Sequence, residues 1–147
     1  MKPVWIVVAN AYQAQLFERA KPRGPLEPLA SFVHPESRLK AGELTDHQPG
    51  RAQAADRGGQ TSYQPPTEPK DKEKDLFARQ IADYLGQGVH GDRCSGLMLF
   101  ASHRMLGAIR ELLDTRTSRA VQHSAPIDLT GIQPRELEAR IAQQLAV

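Results

Sequence analysis

The sequence predicts an α/β domain built on a mixed five-stranded sheet. Three short apolar segments with extended patterns open the chain, a long stretch rich in glycine and proline follows, and the second half alternates helical and extended patterns. Neighbouring strands with short turns pair antiparallel, whereas strands separated by a helix return parallel. These observations predict the element order βββαβαβα, with helices on the faces of the sheet and a long loop after the third strand.

The three opening strands follow from their apolar patterns and from the turns between them. Pro3–Ala9 is almost continuously apolar, which is typical of a strand buried on at least one face. Tyr12–Arg19 predicts its hairpin partner, and Leu26–His34 predicts a third, shorter strand. Because Pro28 has no backbone N–H, we expect this third strand at an edge of the sheet.

The second half predicts three helices separated by two strands. Lys70–Gln87 carries one apolar stripe and is followed by glycine, and Pro134 opens a last helix in which apolar residues recur every four positions. A further helix is predicted at His103–Thr117. The consecutive apolar residues of Cys94–Ser102 indicate a strand buried on both faces, and Ala120–Ala125 predicts the last strand.

Residues 35–69 form the long loop of this arrangement. Glycine and proline are frequent there and large apolar residues are rare, which is typical of a functional or disordered segment. Within it, Ser37–Thr45 could form a short helix. The whole arrangement matches the layout of the ribonuclease H-like folds, and we expect one domain over residues 1–147.

Composition excludes several classes of protein. A chain of 147 residues with 39% hydrophobic residues fits one compact domain, and no apolar run approaches the roughly 20 residues of a membrane span. The apolar stretch at the start is too short for a signal peptide, so we expect a cytoplasmic protein. The single cysteine, Cys94, cannot form an internal disulfide and is expected in the core. A net charge of +2 is too balanced to indicate nucleic-acid binding by itself.

A two-metal nuclease would need several carboxylates where the central strands end. Here the first strand ends at Asn10 and the fourth at Ser102 and His103. Asp128, after the fifth strand, is a single acid that is best explained as a turn or capping residue. The five histidines are scattered without metal-ligand spacing. We therefore predict no metal site and no cofactor, and a nuclease is disfavoured.

The most informative segment is Arg51–Tyr63, which contains the triplet Gly58, Gly59 and Gln60. Two adjacent glycines allow a backbone of positive φ and a close approach to a ligand. Glutamine offers a donor and an acceptor, so it could position a water molecule beside an exposed backbone N–H. On local grounds alone, a flexible surface loop is the favoured explanation of the triplet.

The position of the triplet adds a resemblance. It lies in a long loop between three strands and the first long helix, and this resembles the middle domain of archaeal and eukaryotic class-one peptide-chain release factors. The chain as a whole resembles the bacterial host attachment protein family, which has been grouped with bacterial relatives of that domain. The segments that carry the family resemblance are Trp5–Asn10, Ala14–Glu18, Val33–Leu39, Glu43–Leu44, Pro49–Ala52 and Glu68–Lys70.

The release-factor resemblance implies a role for each residue of the triplet. Gly58 and Gly59 would supply backbone freedom, and Gln60 would hold the water that hydrolyses a peptidyl-tRNA ester. The residues expected to contact RNA around the triplet are Arg51, Arg57 and Thr61. Because we expect one domain over residues 1–147, we expect no counterparts of the stop-codon-reading and carboxy-terminal domains of a release factor.

Two hypotheses of different classes follow. The first is a release-factor-like or ribosome-rescue factor that binds the ribosome or tRNA through Arg51–Tyr63 and, if it is an enzyme, hydrolyses peptidyl-tRNA. The second is a non-catalytic protein-interaction or regulatory module that affects cell attachment indirectly through a protein partner. From Arg38 to Gln60, four basic residues stand against three acidic ones, which is less basic than an RNA-entering loop usually is. The oligomeric state is not predicted.

Overall fold

The computed structural model describes residues 2–34 and 67–146, and side chains of the second range from residue 75 onward. Five strands and four helices occupy these ranges. The strands are β1 (Val4–Ala9), β2 (Gln13–Arg19), β3 (Glu27–Val33), β4 (Gly96–Ala101) and β5 (Val121–Ala125). The helices are α1 (Thr67–His90), α2 (His103–Leu112), α3 (Thr115–Arg119) and α4 (Pro134–Ala146).

The five strands form one mixed sheet in the order β3-β2-β1-β4-β5. The first three pair antiparallel, and β1, β4 and β5 run parallel. The predicted mixed five-stranded α/β class is therefore confirmed, and the narrower ribonuclease H-like assignment stays a prediction. The expected edge position of β3 is also confirmed. Pro28 lies opposite Phe17, next to an irregularity in the register.

One face of the sheet packs against α1 and α2. Alternate residues of the three central strands point to this face, because successive side chains of a strand lie on opposite sides. They meet Phe77, Ile81 and Leu85 of α1 and Met105 and Ile109 of α2, which are all at most 3% exposed. The strand residues in this core are Trp5, Val7, Ala9, Ala14, Leu16, Leu97, Leu99 and Ala101.

The opposite face packs against α4. Leu137 and Ile141 lie one turn apart and point to the sheet, as their four-residue spacing predicts. The buried residues that complete this second core are Ile6, Val8, Phe17, Leu26, Phe100, Ala125 and Leu129. The sheet is therefore covered on both sides, which explains the apolar sequences of β1 and β4.

The first helix is longer than its sequence predicted. It begins at Thr67, within the predicted loop 35–69, and it continues through both glycines to His90. Gly88 remains helical because it packs against Trp5, where a side chain would not fit. The apolar contact thus outweighs the low helix propensity of glycine. No helix within residues 2–34 and 67–146 is both long and apolar enough to cross a membrane.

The predicted helix His103–Thr117 is divided in two. Leu113 adopts an extended backbone and ends α2. Asp114 then caps α3, since its Oδ1 accepts a hydrogen bond from the N–H of Thr117 at 2.8 Å. The observed order is βββαβααβα, with one more short helix than predicted.

Candidate functional site

All six residues predicted for the site lie outside the described residues. These are the triplet Gly58, Gly59 and Gln60 and the flanking residues Arg51, Arg57 and Thr61. The short helix expected at Ser37–Thr45 lies outside them as well. The structure does place the two ends of the segment, at His34 and at Thr67.

His34 fixes the point at which the segment leaves the sheet. Its backbone N–H donates to the carbonyl oxygen of Tyr12 at 2.9 Å, which continues the pairing of β2 and β3 by one residue. Its imidazole packs edge-on against Phe77 of α1, with 5.3 Å between ring centroids. His34 and Phe77 are 7% and 3% exposed. A buried contact between the sheet and α1 therefore lies at the base of the segment.

Both ends lie toward the same border of the sheet, where β1, β4 and β5 end, which we call the carboxyl edge. His34 is next to the β1–β2 turn, in which the N–H of Asn10 donates to the carbonyl of Gln13. Helix α1 precedes β4, which is parallel to β1, so α1 runs in the opposite direction and begins toward the carboxyl edge. In open α/β sheets, ligands bind outside the carboxyl ends of the parallel strands.

Asn10 is the centre of a hydrogen-bond network at the carboxyl edge. Its Oδ1 accepts from the backbone N–H groups of Tyr12 and Gln13, at 2.8 and 3.0 Å. Its Nδ2 donates to Asp128 Oδ2 at 3.0 Å and to Thr130 Oγ1 at 2.9 Å. The network ties the end of β1 to the loop after β5. Sequence analysis missed it because 118 residues separate Asn10 from Asp128, although a polar residue directly after a buried strand was a usable signal.

Asp128 acts as a turn residue, as its isolation in the sequence predicts. Its Oδ1 accepts from the N–H of Thr130 at 2.9 Å and from the hydroxyl of the same residue at 2.6 Å. Burial by itself raises the pKa of Asp128, but hydrogen bonds from the Thr130 hydroxyl, from Asn10 and from the Thr130 N–H together lower it below the usual value. Across the described residues there is no group of three or more His, Cys, Asp or Glu side chains placed to hold a metal ion.

We expect Asn10→Asp to destabilise the protein by about 1 to 3 kcal/mol at neutral pH. Both hydrogen bonds that Nδ2 donates are lost, and a carboxylate then faces Asp128. The loss should shrink as the pH falls and one of the two carboxyl groups is protonated. Urea unfolding of both proteins at neutral and acidic pH measures this. A loss that is independent of pH would contradict the placement of the two side chains.

At the opposite border, the amino edge, exposed polar and charged side chains contact one another. Asp92 Oδ1 lies 3.6 Å from Lys2 Nζ and 3.3 Å from Arg116 Nη2. His90 Nε2 lies 2.9 Å from Asp114 Oδ2. The Thr117 N–H and this histidine hold the pKa of Asp114 at about 2. These pairs join α1 and the chain that follows it to α3.

Cys94 lies in the core, as predicted. It is 8% exposed, and burial raises the pKa of its thiol. A raised pKa keeps the sulfur protonated and therefore unreactive as a nucleophile. The residue accordingly contributes to packing.

The sequence matches a family described as "Protein required for attachment to host cells", over residues 5–141. The chain belongs to this family. The resemblance drawn from its segments is thereby confirmed, and the match covers most of both described ranges and the residues between them. No curated protein sequence matches this chain.

Among solved structures, this chain is similar to an archaeal translation termination factor. The two share a TM-score of 0.51 and 11% sequence identity, over 98% of this chain and 39% of the termination factor. At this identity the similarity shows the fold alone. The chain spans well under half of the length of that factor.

Proposed function

We propose that this protein is a translation factor that binds the ribosome or tRNA through Arg51–Tyr63. The observation that carries the proposal is that His34 and the start of α1, the described parts of the chain on either side of that segment, both lie toward the carboxyl edge. His34 and α1 meet in one buried contact at the carboxyl edge, in a fold shared with a translation termination factor. A segment that leaves and rejoins the described chain toward one edge of the sheet is presented on that side of the domain.

The chemistry proposed for the triplet is hydrolysis of the peptidyl-tRNA ester. Water attacks the ester carbonyl carbon, the bond from that carbon to the ribose oxygen breaks, and the proton released by the water ends on the ribose oxygen. Gln60 positions the water through its amide group. Gly58 and Gly59 let the backbone approach the ester, and ribosomal RNA stabilises the charge that develops on the carbonyl oxygen.

Sedimentation with ribosomes at low and at moderate salt tests the binding. We expect co-migration that weakens steeply as salt rises, because contacts to phosphate release counterions. Co-migration that is insensitive to salt would indicate a protein contact through apolar surface and would favour the protein-interaction module. A protein that is absent from the ribosomal fractions at every salt concentration contradicts the proposed function.

Hydrolysis of ribosome-bound peptidyl-tRNA tests the chemistry. We expect Gly59→Ala and Gln60→Ala each to lower the rate by at least about tenfold while ribosome binding persists, because the first restricts the backbone and the second removes the water-positioning amide. Gln80→Ala is the matched control, since Gln80 is exposed on α1. Equal hydrolysis rates in the wild type and all three variants would exclude a catalytic triplet.

A further inference from the structure

The outer edge of β3 is open in the described part of the chain. β3 is the last strand of the sheet, so none of residues 2–34 and 67–146 pairs with its outer side. Its second half, from Ala30 to Val33, carries no charged side chain. Ser31 and Val33 are exposed, Val33 by 44%. An uncharged, exposed edge offers free backbone groups to another strand.

The pairing with β2 decides which backbone groups of β3 point outward. The N–H of His34 bonds to Tyr12, and residues two and four positions earlier, Phe32 and Ala30, face β2 in the same way. Ser31 and Val33 therefore direct their N–H and C=O groups away from the sheet. These groups are placed to form the next ladder of hydrogen bonds.

Other parts of the sheet border carry features that hinder the addition of another strand. At β5, the register with β4 is irregular. The first half of β3 carries Pro28 and its own register irregularity. Proline, irregularities and charged side chains are the usual devices that prevent strand addition. Their absence from Ala30 to Val33 distinguishes this short edge from the rest of the sheet border.

We propose that a second copy of this chain covers the edge, by antiparallel pairing of β3 with β3 about a twofold axis at Ser31. In this register the outward N–H and C=O groups of Ser31 meet those of the partner's Ser31, and Phe32 lies opposite the partner's Ala30. The strand is self-complementary because both members of that pair are apolar and no like charges meet along Ala30–Val33. The result is a continuous ten-stranded sheet across the dimer.

Charge substitutions at Ser31 test the axis directly. We expect the wild-type chain to sediment as a concentration-dependent dimer, and Ser31→Lys and Ser31→Glu each to weaken association by about tenfold or more, because two like charges then lie directly opposite each other. A mixture of the two variants should associate again, since a lysine then faces a glutamate. Ser31→Thr keeps the backbone and adds no charge, so it should dimerise as the wild type does.

Ser118→Lys is the matched control for added charge, because Ser118 is exposed on α3, away from this edge. Circular dichroism of each variant establishes that the fold is retained. A wild-type chain that is monomeric at every concentration overturns the proposal, and so do Ser31 variants that associate normally. Loss of association in both charged variants without recovery in their mixture also overturns it, because the twofold axis would then lie elsewhere.

Discussion

Replacing Phe100 by alanine is expected to lower the free energy of unfolding by about 3 to 5 kcal/mol. Phe100 is fully buried near the end of β4, between Val8 and Ala125 on the neighbouring strands. It belongs to the core that Leu137 and Ile141 of α4 close. Strands on both sides fix the backbone, so the surrounding residues can relax only partly into the space that is left.

Urea denaturation measures this loss as a lower midpoint with little change in slope. Phe100→Leu should cost less, because it removes less volume. Tyr12→Ala is the control at an exposed aromatic residue, since Tyr12 is 47% exposed and its substitution should change stability little. Equally small losses of unfolding free energy in Phe100→Ala and Tyr12→Ala would contradict the packing of α4 on β4.

The second large effect is expected at Gly88, where alanine should destabilise the protein by about 1 to 3 kcal/mol. A Cβ at this position would lie 3.0 Å from Cε3 of Trp5 and closer still to two other atoms of the indole ring. The ring cannot easily move away, because Tyr84 packs beside it at 5.5 Å and the guanidinium of Arg93 lies 5.8 Å from its centre. The overpacking outweighs the gain in helix propensity.

Gly107→Ala is the matched control, and we expect it to change stability in the opposite direction. Gly107 also lies inside a helix, α2, but a Cβ there would meet nothing within 4 Å. We expect it to stabilise the protein by up to about 1 kcal/mol, because only the helix propensity changes. Thermal unfolding of the two variants beside the wild type compares them. Stabilisation by both substitutions would show that α1 does not lie directly on Trp5.

Much of the fold could be predicted from the sequence, because strand and helix periodicities are local. Pro3–Ala9 was predicted as a strand that the structure places at Val4–Ala9, and Pro28 marked the edge strand. The predicted helix boundaries were wrong at the end of α1, which a distant residue decides, and between α2 and α3, where a local cap interrupts the helix. Trp5 holds Gly88 in α1, and the capping contact of Asp114 starts a separate α3.

The candidate site divides in the same way. The triplet Gly58, Gly59 and Gln60 and its position between the third strand and the first helix are visible in the sequence, and its role stays a prediction. The base of the segment was not visible, because His34 and Phe77 belong to elements far apart in the chain. Neither residue type indicates by itself that the two rings meet.

The sequence alone determined the mixed α/β class, the family and the segment that carries the triplet, since these depend on patterns of neighbouring residues. Only the tertiary structure decided which border of the sheet holds both ends of that segment. It also decided that Asn10 joins β1 to Asp128 and that Ser31 faces outward from an edge that no described strand covers. These features arise from contacts between distant parts of the chain, whose energies are set by packing and hydrogen-bond geometry rather than by local propensity.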